Sequence, residues 1–416
     1  MKVAHSPYRT LYLPPEGVDV RVPYSFMGSI YGEDEHDAVR SVMERGWLTT
    51  GLETVAFEQE FAAYHHVPYA YAVANCTAAL HLAAQLCRIG SGDEVITTPT
   101  TFISTNQAIL ATGATPVFVD IDEQTWNIDP EQVRAHVTPR TRAVFLTHLT
   151  GQMCDMDELM SIAEEHELLV VEDCAHAAGA TYKGRYAGSI GDIGCFSFHA
   201  IKNISTLGEG GMLTTRRDEY ALKTPWLRSM GSRYPGDSFD DGTPGPRPYE
   251  IDDVNGVIPS NVRMNEAQAA VGRVQLRRLP DLLARRRAIA RRWSEEIARL
   301  PGLTPPVEAP DRDHAFHIYA AYVDAAEAGY TNVELADVLL RDHGVQCFPG
   351  LYRASYLFEL YRKRGFQRGL CPIAERVAEN TLQLPLYPAL SDEDVTYVAE
   401  AVTEAANTLA GRKAVV

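Results

Sequence analysis

Short apolar segments alternate with amphipathic segments through the first half of the chain. Apolar runs of strand length occur at residues 69–74, 95–97, 116–120, 143–147, 168–171 and 193–198. Between these runs, apolar side chains recur at the spacing of one helix face, as at Phe57, Phe61 and Tyr64. Strands that are apolar along their whole length and separated by helices are typical of a parallel sheet covered on both faces. The pattern therefore predicts an α/β fold with a mostly parallel central sheet and helices on both faces.

A second, shorter alternation of strand and helix follows a proline-rich stretch that begins at Pro301. It predicts a strand over 317–323, a helix over 332–343, a strand over 344–348 and a last helix that begins after Ser391. The first 25 residues contain four prolines and predict an extended arm. We therefore divide the chain into an N-terminal arm over 1–25, a large domain over 26–280 and a smaller C-terminal α/β domain over 281–416.

Two helices are predicted where the large and small domains meet, at 265–279 and 281–300. The second helix is rich in arginine, with Arg285, Arg286, Arg287, Arg291 and Arg292. Such a cluster can bind nucleic acid, but the formal net charge of −17 argues against nucleic acid or an acidic membrane surface as a partner. We therefore expect these arginines to form a solvated helix face.

Composition and cysteine usage narrow the class of protein. The 416 residues, 45% hydrophobic and 22% charged, are typical of a globular protein with two domains. Seven scattered cysteines give no disulfide framework. The spacing of Cys154, Cys174 and Cys195 fits no metal motif, so we predict no metal site and expect these thiols to fill core positions. The first residues lack a signal-peptide pattern and no run of 18 apolar residues occurs, so we expect a cytoplasmic protein.

Candidate chemistry is concentrated between residues 170 and 215. One predicted strand ends on Asp173, another ends shortly before Lys202, and a glycine-rich turn that includes Gly208 follows. An amine and a carboxylate at the ends of buried strands suit pyridoxal phosphate, because a lysine binds its aldehyde and an acid keeps its ring nitrogen protonated. Taken singly, Asp173 is more simply a helix cap and Lys202 a surface residue. Their combination with the glycine-rich turn favours the cofactor.

The turn Asn75-Cys76-Thr77 is a second informative position, because it joins a strand to a helix that starts with small residues. The free N–H groups and the dipole at such a helix start bind phosphate well. Simple N-capping by Asn75 or Thr77 explains the same residues and does not exclude a phosphate.

Three linked segments resemble one family of enzymes. EDCAHA at 172–177, FSFHAIKN at 196–203 and GEGG at 208–211 are similar to the motifs of the DegT/DnrJ/EryC/StrS family of pyridoxal-phosphate-dependent sugar aminotransferases, which have fold type I. The resemblance covers nearly the whole chain. It implies that Lys202 is the catalytic lysine bonded to the cofactor and that Asp173 meets the pyridine nitrogen.

The resemblance also assigns further cofactor contacts, residue by residue. Phe102 matches the aromatic residue that stacks on the pyridine ring, and Ser197 matches a hydroxyl that binds the phosphate. His176 matches a His or Gln near the ring hydroxyl. The pair Cys76 and Thr77 matches the phosphate-binding Gly-Thr of the family, with cysteine in place of glycine.

A long loop over 230–262, rich in Gly, Pro and Asp, ends in Ser260-Asn261-Val262-Arg263-Met264. In the family the residue that matches Asn261 reaches the phosphate of the neighbouring subunit, so the resemblance implies a homodimer with active sites at the interface. Trp47 matches a position near the substrate entrance, although a core aromatic residue explains it equally well.

The reaction implied by the resemblance is transfer of an amino group from L-glutamate or L-glutamine to a ketone on a nucleotide-linked sugar or a keto-cyclitol. A sugar dehydratase using the same cofactor and a non-catalytic sensor or scaffold with the same fold are the alternatives. Lys202 argues against the first, because the dehydratases replace the lysine or add an iron–sulfur cysteine set. A nicotinamide dehydrogenase is disfavoured, because no G-x-G-x-x-G follows the early strands.

Overall fold

The computed structural model describes residues 17–25, 27–232, 254 and 256–413. Its strands are β1 (Tyr69–Val73), β2 (Glu94–Thr97), β3 (Thr115–Phe118), β4 (Thr141–Thr147), β5 (Leu169–Asp173), β6 (Thr181–Tyr182), β7 (Arg185–Tyr186), β8 (Ile193–Ser197), β9 (Gly211–Thr215), β10 (Leu303–Thr304), β11 (Arg312–Asp313), β12 (Tyr319–Val323), β13 (Phe348–Pro349) and β14 (Thr381–Leu384). Its helices are α1 (Glu33–Arg45), α2 (Leu52–Tyr64), α3 (Cys76–Leu86), α4 (Ile103–Ala111), α5 (Pro130–Ala135), α6 (Met156–Glu165), α7 (Asp218–Leu227), α8 (Glu266–Ile297), α9 (Ala325–Ala328), α10 (Asn332–His343), α11 (Glu359–Arg362), α12 (Pro372–Asn380) and α13 (Asp392–Lys413). None of these helices is long and apolar enough to cross a membrane.

The central sheet has seven strands in the order β1-β9-β8-β5-β4-β2-β3. Strands β8, β5, β4, β2 and β3 pair in parallel, and β9 runs antiparallel to both of its neighbours. The predicted mostly parallel sheet is confirmed.

Each face of this sheet packs on its own layer of helices. Val144 and Val170 lie in a cluster with residues of α2, α6 and α8, while Phe145 and Val171 lie in a second cluster with residues of α3, α4 and α7. Successive residues of a strand point to opposite faces, so a strand that is apolar throughout is buried on both sides. The prediction of helices on both faces is therefore confirmed.

A separate core holds the C-terminal part of the chain. The antiparallel sheet β10-β12-β14-β13 packs with α10, α13 and the second half of α8. Helix α13 begins after Ser391, whose hydroxyl accepts from Asp394 N–H at 3.0 Å, as predicted. The predicted strand over 344–348 is wrong: Gly344 adopts the left-handed conformation that ends α10, and the strand is only Phe348–Pro349.

The two helices predicted at 265–279 and 281–300 are one continuous helix, α8, with Pro280 inside it. Proline removes one helical hydrogen bond and normally kinks or ends a helix. Buried side chains on both sides of it, Leu279 and Leu282 among them, hold α8 against the core. Tertiary packing overrides the local signal here, and the proposed domain boundary at 280/281 falls within a helix. The division into domains stays a prediction.

The burial of Arg286 contradicts the expectation that the arginines of this helix form a solvated face. Its side chain is fully buried, and its guanidinium donates to the backbone oxygens of Phe316 (2.9 Å) and Gly28 (2.5 Å). Arg291 keeps its side chain mostly in solvent. The arginine-rich helix is therefore not a uniform charged surface.

Residues 17–25 of the predicted arm form no helix, and residues 1–16 lie outside the described residues. Val22 forms a parallel bridge with Val345 of the C-terminal part. Gly28 donates its N–H to Ala200 O at 2.8 Å, and a Cβ on Gly28 would lie 2.0 Å from Ile201 O and 2.3 Å from Lys202 O. This segment therefore lies directly against the backbone of the candidate lysine.

Replacing Gly28 with alanine is expected to destabilise the chain by about 1–3 kcal/mol, because the added methyl group would overlap backbone oxygens that cannot rotate away. Urea unfolding measures the loss. Gly90→Ala is the matched control, since a Cβ there meets nothing within 4 Å. Equal unfolding midpoints for the two variants would show that Gly28 is not held against residues 201 and 202.

Candidate active site

A cavity of about 360 Å³ lies beyond the ends of β5 and β8, at the starts of α3 and α4. In open α/β sheets, ligands bind outside the carboxyl ends of the strands. Seven of the eight residues predicted to form the site line this cavity: Cys76, Thr77, Phe102, Asp173, His176, Ser197 and Lys202. The fold therefore brings together residues that are up to 126 positions apart, from 76 to 202.

Lys202 and Asp173 are both buried in the walls of this cavity, at 8% and 2% exposure. The expectation that Lys202 is a surface residue is excluded by this burial. Burial lowers the pKa of Lys202 to about 8, against the opposing effect of the Asp173 charge. Near neutral pH, this amine is therefore much easier to deprotonate than an exposed lysine.

Asp173 ends β5 and is held by three contacts. Thr105 donates its hydroxyl to Oδ2 at 2.5 Å, Ala175 N–H donates to Oδ1 at 3.0 Å, and the Cys76 thiol lies 3.8 Å from Oδ1. Burial raises the pKa of Asp173, and the hydrogen bond from Thr105 is the largest effect that lowers it. The Thr105 hydroxyl is in turn 3.0 Å from that of Thr101. A carboxylate fixed in this way has one orientation toward the cavity.

The start of α3 forms another wall. The Asn75 side chain caps the helix by accepting from Ala78 N–H at 2.9 Å, so the N-cap interpretation holds. Cys76 and Thr77 are the first two helical residues, where N–H groups lack an intrahelical partner. Gly211 makes the close approach of β9 possible, since a Cβ there would lie 2.5 Å from Asn75 C. The glycine-rich turn is thus required for packing beside the site.

His176, Phe102 and Tyr352 form the outer wall. His176 is buried, with Nε2 3.1 Å from Tyr352 Oη and the two rings stacked at 5.5 Å. The Nδ1 atom of His176 has no hydrogen-bond partner among the described residues. Phe102 is 53% exposed and its ring meets that of Tyr352 edge-on at 6.4 Å. Phe102 is therefore a cavity residue and not a core residue.

Asn261 is the one predicted site residue that does not line the cavity. It is exposed and forms an antiparallel bridge with Ser229. Most of the loop predicted over 230–262 lies outside the described residues. Trp47 is 51% exposed and donates to Thr50 O at 2.9 Å, so it is not a core aromatic residue.

Three residues in contact with the predicted site were missed by sequence reasoning. Thr105 contacts Asp173, Tyr352 contacts His176, and His317 Nε2 lies 3.2 Å from Lys202 Nζ. Tyr352 and His317 both come from the C-terminal half, at 176 and 115 positions from their partners. No local motif marks them.

His148, Glu172 and Cys174 lie close enough together to hold a metal ion. His148 accepts Cys154 N–H on Nδ1 at 3.1 Å, so its Nε2 is the donor to Glu172 at 2.9 Å. Burial alone would raise the pKa of Glu172, but the hydrogen bond from His148 and others from backbone N–H groups lower it. Both ring nitrogens are therefore engaged, and the group stabilises the end of β5.

These residues fit pyridoxal phosphate. A buried carboxylate suits a pyridinium nitrogen, a buried amine of lowered pKa suits an aldehyde, and a helix start with the Ser197 hydroxyl suits a phosphate. The buried Nδ1 of His176, which has no partner among the described residues, leaves one polar atom for a ring substituent.

Known proteins identify the family. A model of the DegT/DnrJ/EryC1/StrS aminotransferase family matches residues 29–403. The spore coat polysaccharide biosynthesis protein SpsC of Bacillus subtilis is 43% identical over 385 residues, which are 92% of this chain and 96% of that protein. The aminotransferase from Psychrobacter cryohalolentis superimposes with a TM-score of 0.86 at 35% identity, over 93% of this chain and 100% of that one.

The PLP-form of Spr1654 from Streptococcus pneumoniae superimposes with a TM-score of 0.82 at 29% identity, over 92% of this chain and 99% of that one. The chain therefore belongs to the DegT/DnrJ/EryC1/StrS aminotransferase family and is an aminotransferase of fold type I that uses pyridoxal phosphate.

Proposed function

We propose that this enzyme transfers an amino group from L-glutamate or L-glutamine to a ketone on a sugar, either a nucleotide-linked ketosugar or a keto-cyclitol, in the biosynthesis of amino sugars or aminocyclitols. The observation that carries the proposal is one cavity holding a buried lysine of lowered pKa and a buried aspartate. The name of SpsC, a polysaccharide biosynthesis protein, supports a sugar as the acceptor.

Lys202 is proposed as the group that moves the proton. A general acid and base works best when its pKa lies near the operating pH, and the pKa of Lys202 is about 8. When bound, pyridoxal phosphate supplies the electron sink that makes a substrate carbon acidic. Asp173 would supply the negative charge that keeps the ring nitrogen protonated, and the hydrogen bonds from Thr105 and Ala175 orient its carboxylate. The phosphate is assigned to Cys76, Thr77 and Ser197.

We propose that two copies of the chain form the active unit. Asn261 is exposed and away from the cavity of its own chain, which is consistent with a role in the partner's site.

We also propose a cytoplasmic location, since all seven cysteines are free thiols.

Visible spectroscopy of the purified enzyme tests the proposal. The absorption of the bound cofactor is expected to shift when glutamate or glutamine is added, and to return when a keto-sugar nucleotide or a keto-cyclitol follows. The reverse half-reaction, run with a panel of amino-sugar nucleotides and aminocyclitols, identifies the sugar class. If simple 2-keto acids restore the absorption of the bound cofactor and no keto-sugar nucleotide or keto-cyclitol does, the acceptor is not a sugar. The enzyme would still be an aminotransferase.

A further inference from the structure

His317 contacts the reactive amine from outside the predicted motifs. Its Nε2 lies 3.2 Å from Lys202 Nζ, and its side chain is buried at 6% exposure. Its Nδ1 has no hydrogen-bond partner among the described residues. A buried polar atom without a partner is unfavourable, so packing alone does not account for a histidine at this position.

The backbone around His317 is held in conformations that cost free energy. Phe316 has φ +44° and Thr150 has φ +56°, both in the left-handed region. The N–H of His317 donates to Thr150 O at 2.8 Å. A Cβ on Gly151, next along the chain, would lie 3.1 Å from His317 N. Strain of this kind persists where the surrounding structure enforces it and clusters at functional sites.

A buried guanidinium fixes the same position from the other side. Arg286 donates to Phe316 O at 2.9 Å and to Gly28 O at 2.5 Å. Gly28 in turn lies against the backbone oxygen of Lys202. One side chain therefore links the segment that carries His317 to the segment that carries the lysine, and so fixes the distance between the two.

We propose that His317 is a positioning residue for Lys202. Its Nε2 accepts an N–H of the lysine whenever the amine is not bonded to cofactor or substrate, and this holds Nζ in one position at the cavity wall. No covalent bond forms or breaks in this contact, and the proton stays on the lysine. The proposal rests on the proposed function, in which Lys202 must return to the same place in every cycle.

The charges around His317 and Lys202 agree with donation from the lysine to the imidazole. Burial holds the pKa of His317 far below its usual value, and the charge of Lys202 acts in the same sense, followed by smaller effects of His176, Arg286 and His199. A neutral imidazole offers one acceptor nitrogen, while an ammonium only donates, so Nε2 is the acceptor and Nδ1 carries the hydrogen.

The groups that face Lys202 determine whether its pKa rises or falls when His317 is replaced. Burial lowers the pKa of Lys202, whereas Asp173 and Cys76 raise it. An acceptor on the ammonium also raises it. Removing the Nε2 acceptor is therefore expected to lower the pKa of Lys202 below about 8.

The test compares His317→Leu, which removes the acceptor, with His317→Gln, whose amide oxygen replaces Nε2. Whole protein freed of cofactor is treated with formaldehyde and cyanoborohydride across a pH series, and methylation of Lys202 is followed by peptide mass spectrometry. Exposed Lys363 is the internal control. The wild-type midpoint is expected near pH 8. The Leu variant is expected to titrate about one pH unit lower, and the Gln variant close to wild type.

A second readout uses the enzyme loaded with cofactor. The Leu variant is expected to lose about 10- to 100-fold in kcat for amino transfer with little change in KM for the amino donor, and the Gln variant to recover most of it. Unchanged midpoints and kcat in the Leu variant would overturn the proposal. If the Leu variant does not fold, the His317→Asn variant is used in its place. The asparagine side chain is shorter than that of glutamine, so its amide is not expected to reach Lys202 Nζ. Labelling needs no turnover, so it still tests the contact if the sugar assignment fails.

Discussion

Replacing Lys202 with alanine is expected to abolish amino transfer, with a loss of about 10⁴-fold or more in kcat. Proton transfer by a positioned side chain contributes up to about 10⁴-fold, and the covalent attachment of the cofactor is lost in addition. Among the described residues that line the cavity, Lys202 is the one lysine, so no second amine is in place to substitute for it. Steady-state assays with glutamate measure the rate, and the visible spectrum measures retention of the cofactor.

Two comparisons separate lost chemistry from lost folding. Lys363→Ala removes an exposed lysine that pairs with Glu359 and is expected to leave the rate unchanged. A small amine such as methylamine, added to Lys202→Ala, is expected to restore part of the activity if the cavity is intact. A Lys202 variant that kept more than a tenth of wild-type activity would refute the assigned role.

The layers of the fold were predictable because they follow from local hydrophobic patterns. Strand β5 begins with a continuous apolar run over 169–171 because both faces of the sheet are covered, and that pattern is readable in the sequence alone. Helix α8 was divided in two because Pro280 is a strong local signal for a break, whereas the packing that overrides it involves residues far away in sequence. The prediction that Arg286 lies in solvent failed for the same reason. Its hydrogen-bond acceptors are backbone oxygens of Gly28 and Phe316, which are far from it in the sequence.

Some residues of the candidate site could likewise be predicted from the sequence, and others could not. Asp173, Ser197 and Lys202 lie on or just after two adjacent strands, so the rule that ligands bind at the carboxyl ends of strands already groups them from the order of residues along the chain. Tyr352 and His317 reach the site from the C-terminal half, whose core shares helix α8 with the core of the large sheet. A single sequence carries no signal for such contacts.

Asparagine in place of Asp173 is expected to lower kcat by about 10²- to 10³-fold while the cofactor still binds. The amide keeps the shape of the carboxylate and still accepts from Thr105, but it carries no charge to hold a proton on the ring nitrogen. Burial raises the pKa of Asp173, so the wild-type activity is expected to fall below neutral pH as the carboxylate takes up a proton. The asparagine variant is expected to lack this contribution to the acidic limb and to keep only the one from Lys202, whose pKa is about 8. The pH–rate profiles of both proteins measure the difference.

The control for Asp173→Asn is the same substitution at Asp337, an exposed aspartate on α10 paired with Arg341. Its rate and its pH profile are expected to match those of the wild type. Cofactor affinity, titrated by absorbance, is expected to change by less than about 10-fold in Asp173→Asn, because the phosphate contacts and Lys202 remain. If the variant instead lost the cofactor while its kcat at saturation stayed near wild type, Asp173 would be a binding residue, and the charge on the ring nitrogen would have to be held by another group.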